Sequence, residues 1–271
     1  MGKVKIKKKS TFIDMTAMSD VTVLLLTFFM LTSTFLQKEP TIVYTPSSVS
    51  EEKVPMNNVV TVLVSSADKS GKLQDPTVTE GKIFLSFTGD ADSTLSSEKI
   101  RGMILDDAIA TYNGLHKNNT IALNEAQKEA FRTTNMMGVP FRELPNVLSM
   151  SITERDKLLG DLQDPRVGIP INGNKDRNGQ LNDFQVWLKA IYDVAQKINN
   201  DQLNDPDITP EQKTQLSNLY TALMRKGQGI AVKADKDTPF TTVQLIFDNL
   251  QTMKLNKFSL MTALKSENEP S

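Results

Sequence analysis

One long run of apolar residues lies near the start of the chain, and it contains two carboxylates, Asp14 near its edge and Asp20 further inside. Residues 13–36 read IDMTAMSDVTVLLLTFFMLTSTFL, with Asp20 in the first third of the run. As a helix, this stretch measures about 36 Å at 1.5 Å per residue, which is enough to cross a bilayer with some tilt. The pattern therefore predicts a transmembrane helix over residues 13–36.

The residues before the run predict its orientation. Five lysines precede it: Lys3, Lys5, Lys7, Lys8 and Lys9. By the positive-inside rule, the basic segment 1–12 is expected in the cytoplasm and the C-terminal part on the opposite side of the membrane. A secretory signal peptide has a similar start. Against that alternative, Asp20 directly precedes the apolar core of the run, and no A-x-A-like cleavage site follows.

Asp20 shares one helical stripe with three threonines. Four- and seven-residue steps from Asp20 reach Thr16, Thr27 and Thr34, which fall on one face of a helix. The hydroxyls of such a stripe can simply bond the carbonyls four residues earlier, and this interpretation is favoured for the threonines. For Asp20 a functional role is favoured, because carboxylates inside membranes are rare and costly.

The rest of the chain alternates between strand and helix patterns. Residues 37–57 contain three prolines and a serine cluster, and they predict an extended linker. The predicted elements are strands Val59–Ser66 and Lys82–Gly89, a helix Glu98–Leu115 with Ser97 as its cap, a strand Gly229–Ala234, a helix Phe240–Met253 and a strand Phe258–Leu264. Together, residues 58–114 and 229–265 predict a small α+β domain with helices on one face of a sheet.

Residues 115–228 lie between these two halves and carry almost no strand signal. Four stretches have helical spacing, and Pro210 after Thr209 is a typical helix start. The segment is predicted to be a helical insertion. We expect it to be an accessory module that the α+β domain can lose without unfolding.

Composition excludes several kinds of site. The chain has no cysteine and a single histidine, His116, which excludes disulfides, cysteine nucleophiles and histidine-rich metal centres. Residues 37–271 sum to a charge of −4, so a nucleic-acid interface is not expected. The stretch Asn174–Gln185 imitates a calcium loop but lacks its first carboxylate and its final glutamate, so a plain loop with a helix cap is favoured. No cofactor and no enzymatic activity are expected. His116 is predicted to be an exposed loop residue and Trp187 a core residue.

Two stretches of the chain resemble the ExbD/TolR family. FIDMTAMSDVTVLLLTFFMLTSTF, residues 12–35, is similar to the membrane signature of that family, with Thr16 and Asp20 at the matching Thr and Asp and Ala17 where the family has proline. IAVKADKDTPFTTVQLIFDNLQTMKLNKFSLMTAL, residues 230–264, resembles its closing strand–helix–strand. About half of the chain is covered by the resemblance.

The resemblance implies a function and partners. Such proteins are homodimers in the inner membrane, each chain crossing once, with the C-terminal domain in the periplasm. Their spans lie inside a pentameric ExbB/TolQ-like partner, and Asp20 would carry the proton. The motion would reach the outer membrane through a TonB- or TolA-like energy transducer. The alternative is a membrane-anchored periplasmic binding module that grips peptidoglycan or an envelope receptor.

Overall fold

The structure is a computed structural model, and two compact units of the chain are distinguished, 1–38 and 39–271. It describes residues 15–32, 39, 41, 43–48, 59–66, 81–88, 96–171, 181–215, 219–226 and 228–264. The first unit contributes one described helix. The second contains the described strands and the remaining described helices, which form a mixed α+β fold as the sequence predicts.

The elements follow the predicted order closely. The helices are α1 (Met15–Thr32), α2 (Ser97–Leu115), α3 (Glu125–Arg132), α4 (Leu144–Leu148), α5 (Ile152–Gly160), α6 (Asp183–Leu203), α7 (Pro210–Gln215), α8 (Leu219–Thr221) and α9 (Phe240–Thr252). The strands are β1 (Ser47–Ser48), β2 (Val59–Ser66), β3 (Gly81–Thr88), β4 (Met136–Met137), β5 (Ile230–Ala234), β6 (Ser259–Met261) and β7 (Ala263–Leu264). A short 3-10 turn, Phe141–Glu143, precedes α4, and a π-helical turn, Ala222–Lys226, follows α8.

Five strands form the main sheet, in the order β4-β3-β2-β5-β6. β2 pairs antiparallel with β3, with Val62 opposite Leu85. On its other side β2 pairs parallel with β5, and Val60 lies opposite Ile230. β5 and β6 are also parallel and are joined through α9, as a parallel pair requires a crossover connection. The predicted closing strand–helix–strand is therefore confirmed, and its first strand, β5, lies inside the sheet between β2 and β6.

Both faces of the central strand are covered. Side chains alternate between the faces of a strand, yet Val62, Leu63 and Val64 are all fully buried. The prediction placed helices on one face of the sheet, and the burial of β2 shows in addition that its other face is not open to solvent. The run VVTVLVSS shows why, because it is apolar at consecutive positions, as in strands buried on both faces.

Helix starts follow capping chemistry. The side chain of Ser96 accepts a hydrogen bond from the Lys99 N–H at 3.3 Å, so the cap of α2 is Ser96 and not the predicted Ser97. Asn182 and Gln185 form a reciprocal capping box at the start of α6. This confirms the helix cap predicted at the end of the calcium-like stretch, whose residues 174–180 lie outside the described residues.

The segment 115–228 packs into the same hydrophobic core as the sheet. Phe141, Phe184 and Trp187 belong to one cluster with Val62 and Phe84, and each is at most 2% exposed. The segment also supplies β4, which pairs antiparallel with β3, so it is not helical throughout. The predicted boundaries of an insertion remain a prediction. The expectation that the segment is accessory to the core does not fit this packing.

Part of the predicted linker is attached to the folded unit. The Lys233 ammonium lies 2.7 Å from the Glu39 carboxylate, and the Lys236 N–H donates to the Tyr44 carbonyl at 2.8 Å. β1 pairs parallel with β7, placing Ser47 opposite Ala263. The described residues between 39 and 48 therefore lie against the domain, whereas the sequence predicted a free extended spacer.

Candidate functional site

α1 presents apolar side chains on all sides. Its sequence, MTAMSDVTVLLLTFFMLT, contains no glycine or proline, which would interrupt a helix. Within the chain its described large apolar side chains are 54–77% exposed, and they are Met18, Val21, Val23, Leu24, Leu25, Leu26, Phe28, Phe29 and Met30. A helix that is apolar all round requires an apolar environment, supplied by lipid or by other helices.

Asp20 is the single charged residue of α1, and it lies one turn and a half from the N-terminal end of the helix. Its side chain is exposed in the isolated chain, like those of its apolar neighbours. A carboxyl group on such a surface is neutral when protonated and is then tolerated in an apolar environment. When ionised, it is strongly hydrated. This difference is the chemistry that a proton carrier needs.

The predicted threonine stripe is only partly described. The Thr27 hydroxyl donates to the Val23 and Leu24 carbonyls, both at 2.9 Å, which confirms the favoured interpretation for this residue. Thr22, which the sequence analysis did not single out, makes the same bond to the Met18 carbonyl at 2.7 Å. Both hydroxyls are thus satisfied by their own helix. The Thr16 side chain, Thr34 and the lysines Lys3, Lys5, Lys7, Lys8 and Lys9 lie outside the described residues.

The described helix α1 is shorter than the predicted span. Among the residues that the structure describes, no helix is both long and apolar enough to cross a bilayer. The predicted span, residues 13–36, extends past the described helix at both ends.

The folded unit offers no metal centre among its described residues, since no three acidic or histidine side chains cluster there. His116 is not the exposed loop residue that was predicted. It caps the C-terminal end of α2 and is half-buried, and its ring stacks on Tyr112 at 4.3 Å. Trp187 is confirmed as a core residue, stacked 4.7 Å from Phe141.

A cavity of about 40 Å³ opens between α2, α6 and the β3–β4 edge of the sheet. Its apolar walls include Leu85, Phe87, Ile104 and Phe131. Its polar lining consists of Ser86, Arg101, Thr134, Asn135 and the indole of Trp187. No carboxylate lies among the lining residues.

Arg101 is the charged residue of this cavity, and it is 9% exposed. Burial lowers the pKa of its guanidinium, an effect that the nearby Glu98 carboxylate opposes. The sequence analysis missed this residue. The signal was present, because Arg101, Ile104 and Ala108 share one helical face that is otherwise apolar.

The comparisons with known proteins bear on the N-terminal half of the chain. A family model described as biopolymer transport protein ExbD/TolR matches residues 7–135, a segment that contains α1 with Asp20 and the strands β2 and β3. No curated protein and no solved structure matches the chain. Proteins of the matched family are inner-membrane, non-enzymatic accessories of biopolymer transport, and they generally work with ExbB/TolQ and TonB/TolA proteins. Residues 7–135 of this chain therefore match the ExbD/TolR family of biopolymer transport proteins.

Proposed function

We propose that the chain is a subunit of an inner-membrane proton-driven motor of the ExbB–ExbD or TolQ–TolR type, with Asp20 carrying the proton. The observation that carries this proposal is one carboxylate on a helix with mostly apolar described side chains, on which the Thr22 and Thr27 hydroxyls bond their own backbone. In this arrangement residues 13–36 cross the membrane once, with residues 1–12 in the cytoplasm and the folded unit in the periplasm.

The proposed chemistry follows from the two states of the carboxyl group. Desolvation favours the neutral acid, so Asp20 takes up a proton from one side and keeps it while its surroundings are apolar. Contact with water or with a polar partner group favours the carboxylate again and releases the proton. Each transfer across the membrane yields about 2.3 kcal/mol per 100 mV of potential.

A single helix cannot enclose a proton path, so partners are part of the proposal. A second copy of the chain and a polytopic ExbB/TolQ-like protein would cover the apolar faces of α1 and line the route to Asp20. A protein with several spans and polar groups on its inner face fits this role, because an intramembrane carboxylate needs a polar counterpart.

Motion of the helix would enter the folded unit through the segment that follows it. Glu39 and Tyr44 are held by Lys233 and Lys236, near the end of strand β5 and just after it. A pull on residue 39 would therefore act on β5, an interior strand of the sheet. From there, the work would reach the outer membrane through a TonB- or TolA-like protein.

The decisive experiment removes the titratable group and keeps its shape. Asp20→Asn in the full-length chain, co-expressed with its membrane partner, is expected to abolish energy-dependent transport. The reason is that a carboxamide neither takes up nor releases a proton near neutral pH. Expression and assembly with the partner should persist. Thr27→Val is the matched control and should change transport by no more than about threefold, since hydroxyl hydrogen bonds in membrane helices average about 0.6 kcal/mol.

Full transport by Asp20→Asn would reject the proton-carrying role and leave the anchored binding module, which grips peptidoglycan or a receptor, as the alternative. A topology assay tests the orientation separately. A reporter fused after Lys265 should be found outside the cytoplasm, and a tag placed before Lys3 should be cytoplasmic. The opposite pattern would reject the motor, because it puts the folded unit on the wrong side.

A further inference from the structure

One carboxyl oxygen is buried without a hydrogen-bond donor where α2 packs against α6. Asp107 lies on α2 between Ile104 and Ala108, which belong to the hydrophobic core. The Oδ2 of Asp107 has no hydrogen-bond partner among the described residues. An ionised oxygen in such a place loses hydration and receives nothing in return, whereas a neutral carboxyl group loses much less. The packing of the two helices therefore depends on whether Asp107 carries a proton.

The charged groups that act on Asp107 lie on the facing helix α6. Lys189 and Asp193 form an ion pair one turn apart on that helix. The Asp193 carboxylate repels ionised Asp107, whereas Lys189 and Lys197 attract it. Lys189 is already engaged by the carboxylate that repels Asp107. The charges of α6 therefore compensate an ionised Asp107 incompletely.

Burial and charge together favour the neutral form of Asp107 in the folded chain. Burial, and then the Asp193 carboxylate, raise the pKa of Asp107 above its ordinary 3.8, and the two lysines oppose this rise. The group ionises at lower pH in the unfolded chain than in the folded one. Its contribution to stability is therefore greatest below about pH 4 and is lost as the pH rises through the folded pKa.

We propose that Asp107 is a pH-sensitive joint between α2 and α6, at which the neutral acid permits close packing of the two helices and the carboxylate loosens it. The joint connects the family-matched residues 7–135 to a helix that lies beyond them. In the periplasmic location proposed above, it faces the side of the membrane that a proton gradient makes acidic. That setting rests on the proposed function, whereas the joint itself does not.

The single tryptophan of the chain, Trp187, lies on α6, so its fluorescence reports on this packing. Urea unfolding of the full-length chain in mild detergent is followed through Trp187 at about pH 4.5 and about pH 7.5. The urea midpoint of the parent should fall between the lower and the higher pH. Asp107→Asn keeps the shape of the side chain and fixes it as neutral, so it should remove at least about 0.2 M of that fall.

The neighbouring carboxylate supplies a matched control. Asp106 is exposed and lies 3.1 Å from the Lys128 ammonium, so Asp106→Asn should keep the whole pH-dependent fall of the parent. Asp183, whose pKa burial also raises, contributes to the fall in parent and variants alike. The difference between Asp107→Asn and the parent is therefore the quantity that tests the joint. An equal fall in the two proteins would overturn the proposal.

A second variant shifts the balance in the opposite direction without touching the buried group. Lys197 is exposed, and Lys197→Met removes a cation that favours ionised Asp107. The fall in midpoint should become larger than in the parent, and an unchanged or smaller fall would overturn the proposal even if Asp107→Asn did not fold. Both readouts measure unfolding and not transport, so they do not depend on the role of Asp20.

Discussion

The helix α1 and the folded unit differ in where their apolar side chains find partners. In α1 the described large apolar side chains are more than half exposed, whereas Phe84, Phe141 and Phe184 of the folded unit are fully buried. The folded unit completes its own core from residues on both sides of the 115–228 segment. The exposed apolar side chains of α1 require an apolar environment supplied by molecules outside the chain.

This contrast also separates the two places where charge meets an apolar surface. Asp20 lies on the outside of an isolated helix, so its surroundings are set by whatever covers α1. Arg101 lies inside the folded unit, so its surroundings are set by the chain itself. Mutations in the folded unit should therefore change the free energy of unfolding, whereas mutations in α1 should change function.

The largest effect should come from replacing residues 116–227 with a short Gly/Ser linker in the full-length chain. The replacement removes β4, Phe141 and Trp187 from the core, so the cooperative unfolding transition should disappear in thermal and urea scans followed by circular dichroism. A cooperative transition close to that of the parent chain would instead support the separable module expected from the sequence.

A single truncation in each region gives a sharper contrast. Phe141 is fully buried, and its ring stacks 4.7 Å from both Tyr112 and Trp187. Phe141→Ala should lower the free energy of unfolding by about 3–5 kcal/mol. Phe28→Ala removes the same kind of side chain at a position of α1 that is 61% exposed. It should change the free energy of unfolding by less than about 0.5 kcal/mol. Equal effects in urea denaturation would refute the contrast.

Two glycines test packing inside the folded unit on a finer scale. A Cβ built on Gly138 would lie 1.9 Å from the Cδ1 of Phe84, whereas one on Gly114 would contact nothing within 4 Å. Gly138→Ala should therefore lower the free energy of unfolding by about 1–3 kcal/mol. Gly114→Ala, near the end of α2, should raise it by about 0.5 kcal/mol. The opposite order in denaturant midpoints would show that Gly138 does not approach Phe84 closely.

The smallest effect concerns a surface pair of the folded unit. Hydrogen bonds from Arg166 lower the pKa of Asp164 from 3.8 to about 2. Since the folded pKa is depressed, the pair stabilises the fold above about pH 4, and this contribution is lost as the pH falls from about 4 to 2. A carboxyl-detected NMR titration should find the low value. In the Arg166→Gln variant the pKa of Asp164 should return towards 3.8. An unchanged pKa would show that Arg166 does not cause the shift.

The elements that the sequence predicted well are those with a local signal. β2 runs Val59–Ser66 as predicted, because a run of β-branched residues marks a buried strand. α9 matches to one residue at its C-terminal end, since Pro239 marks its start and its apolar spacing continues to Thr252. Asp20 stands out in the sequence for a similar local reason, because it is a carboxylate in a long apolar run, and its role stays a prediction.

The elements that were missed depend on contacts between distant residues. β4 consists of two methionines that follow a helix, and it exists because β3 offers an unpaired edge. β1 lies in a stretch rich in proline and serine and is defined by its pairing with β7, more than 200 residues later. The cavity likewise forms where α2, α3 and α6 meet the sheet. Sequence spacing could show that Arg101 falls on an apolar face, but not that Trp187 would lie beside it.

The parallel pairing of β2 with β5 has a consequence for how the protein is made. Val60 and Ile230 are neighbours in the sheet, although 170 residues separate them in the chain. Until the ribosome has synthesised β5, β3 is the one described strand that pairs with β2, so β2 is an open edge of an incomplete sheet. Pairing between strands that lie so far apart in the sequence slows folding. The nascent chain should therefore remain loose and protease-sensitive until nearly its full length has emerged, and should become resistant only after the last sixth is complete.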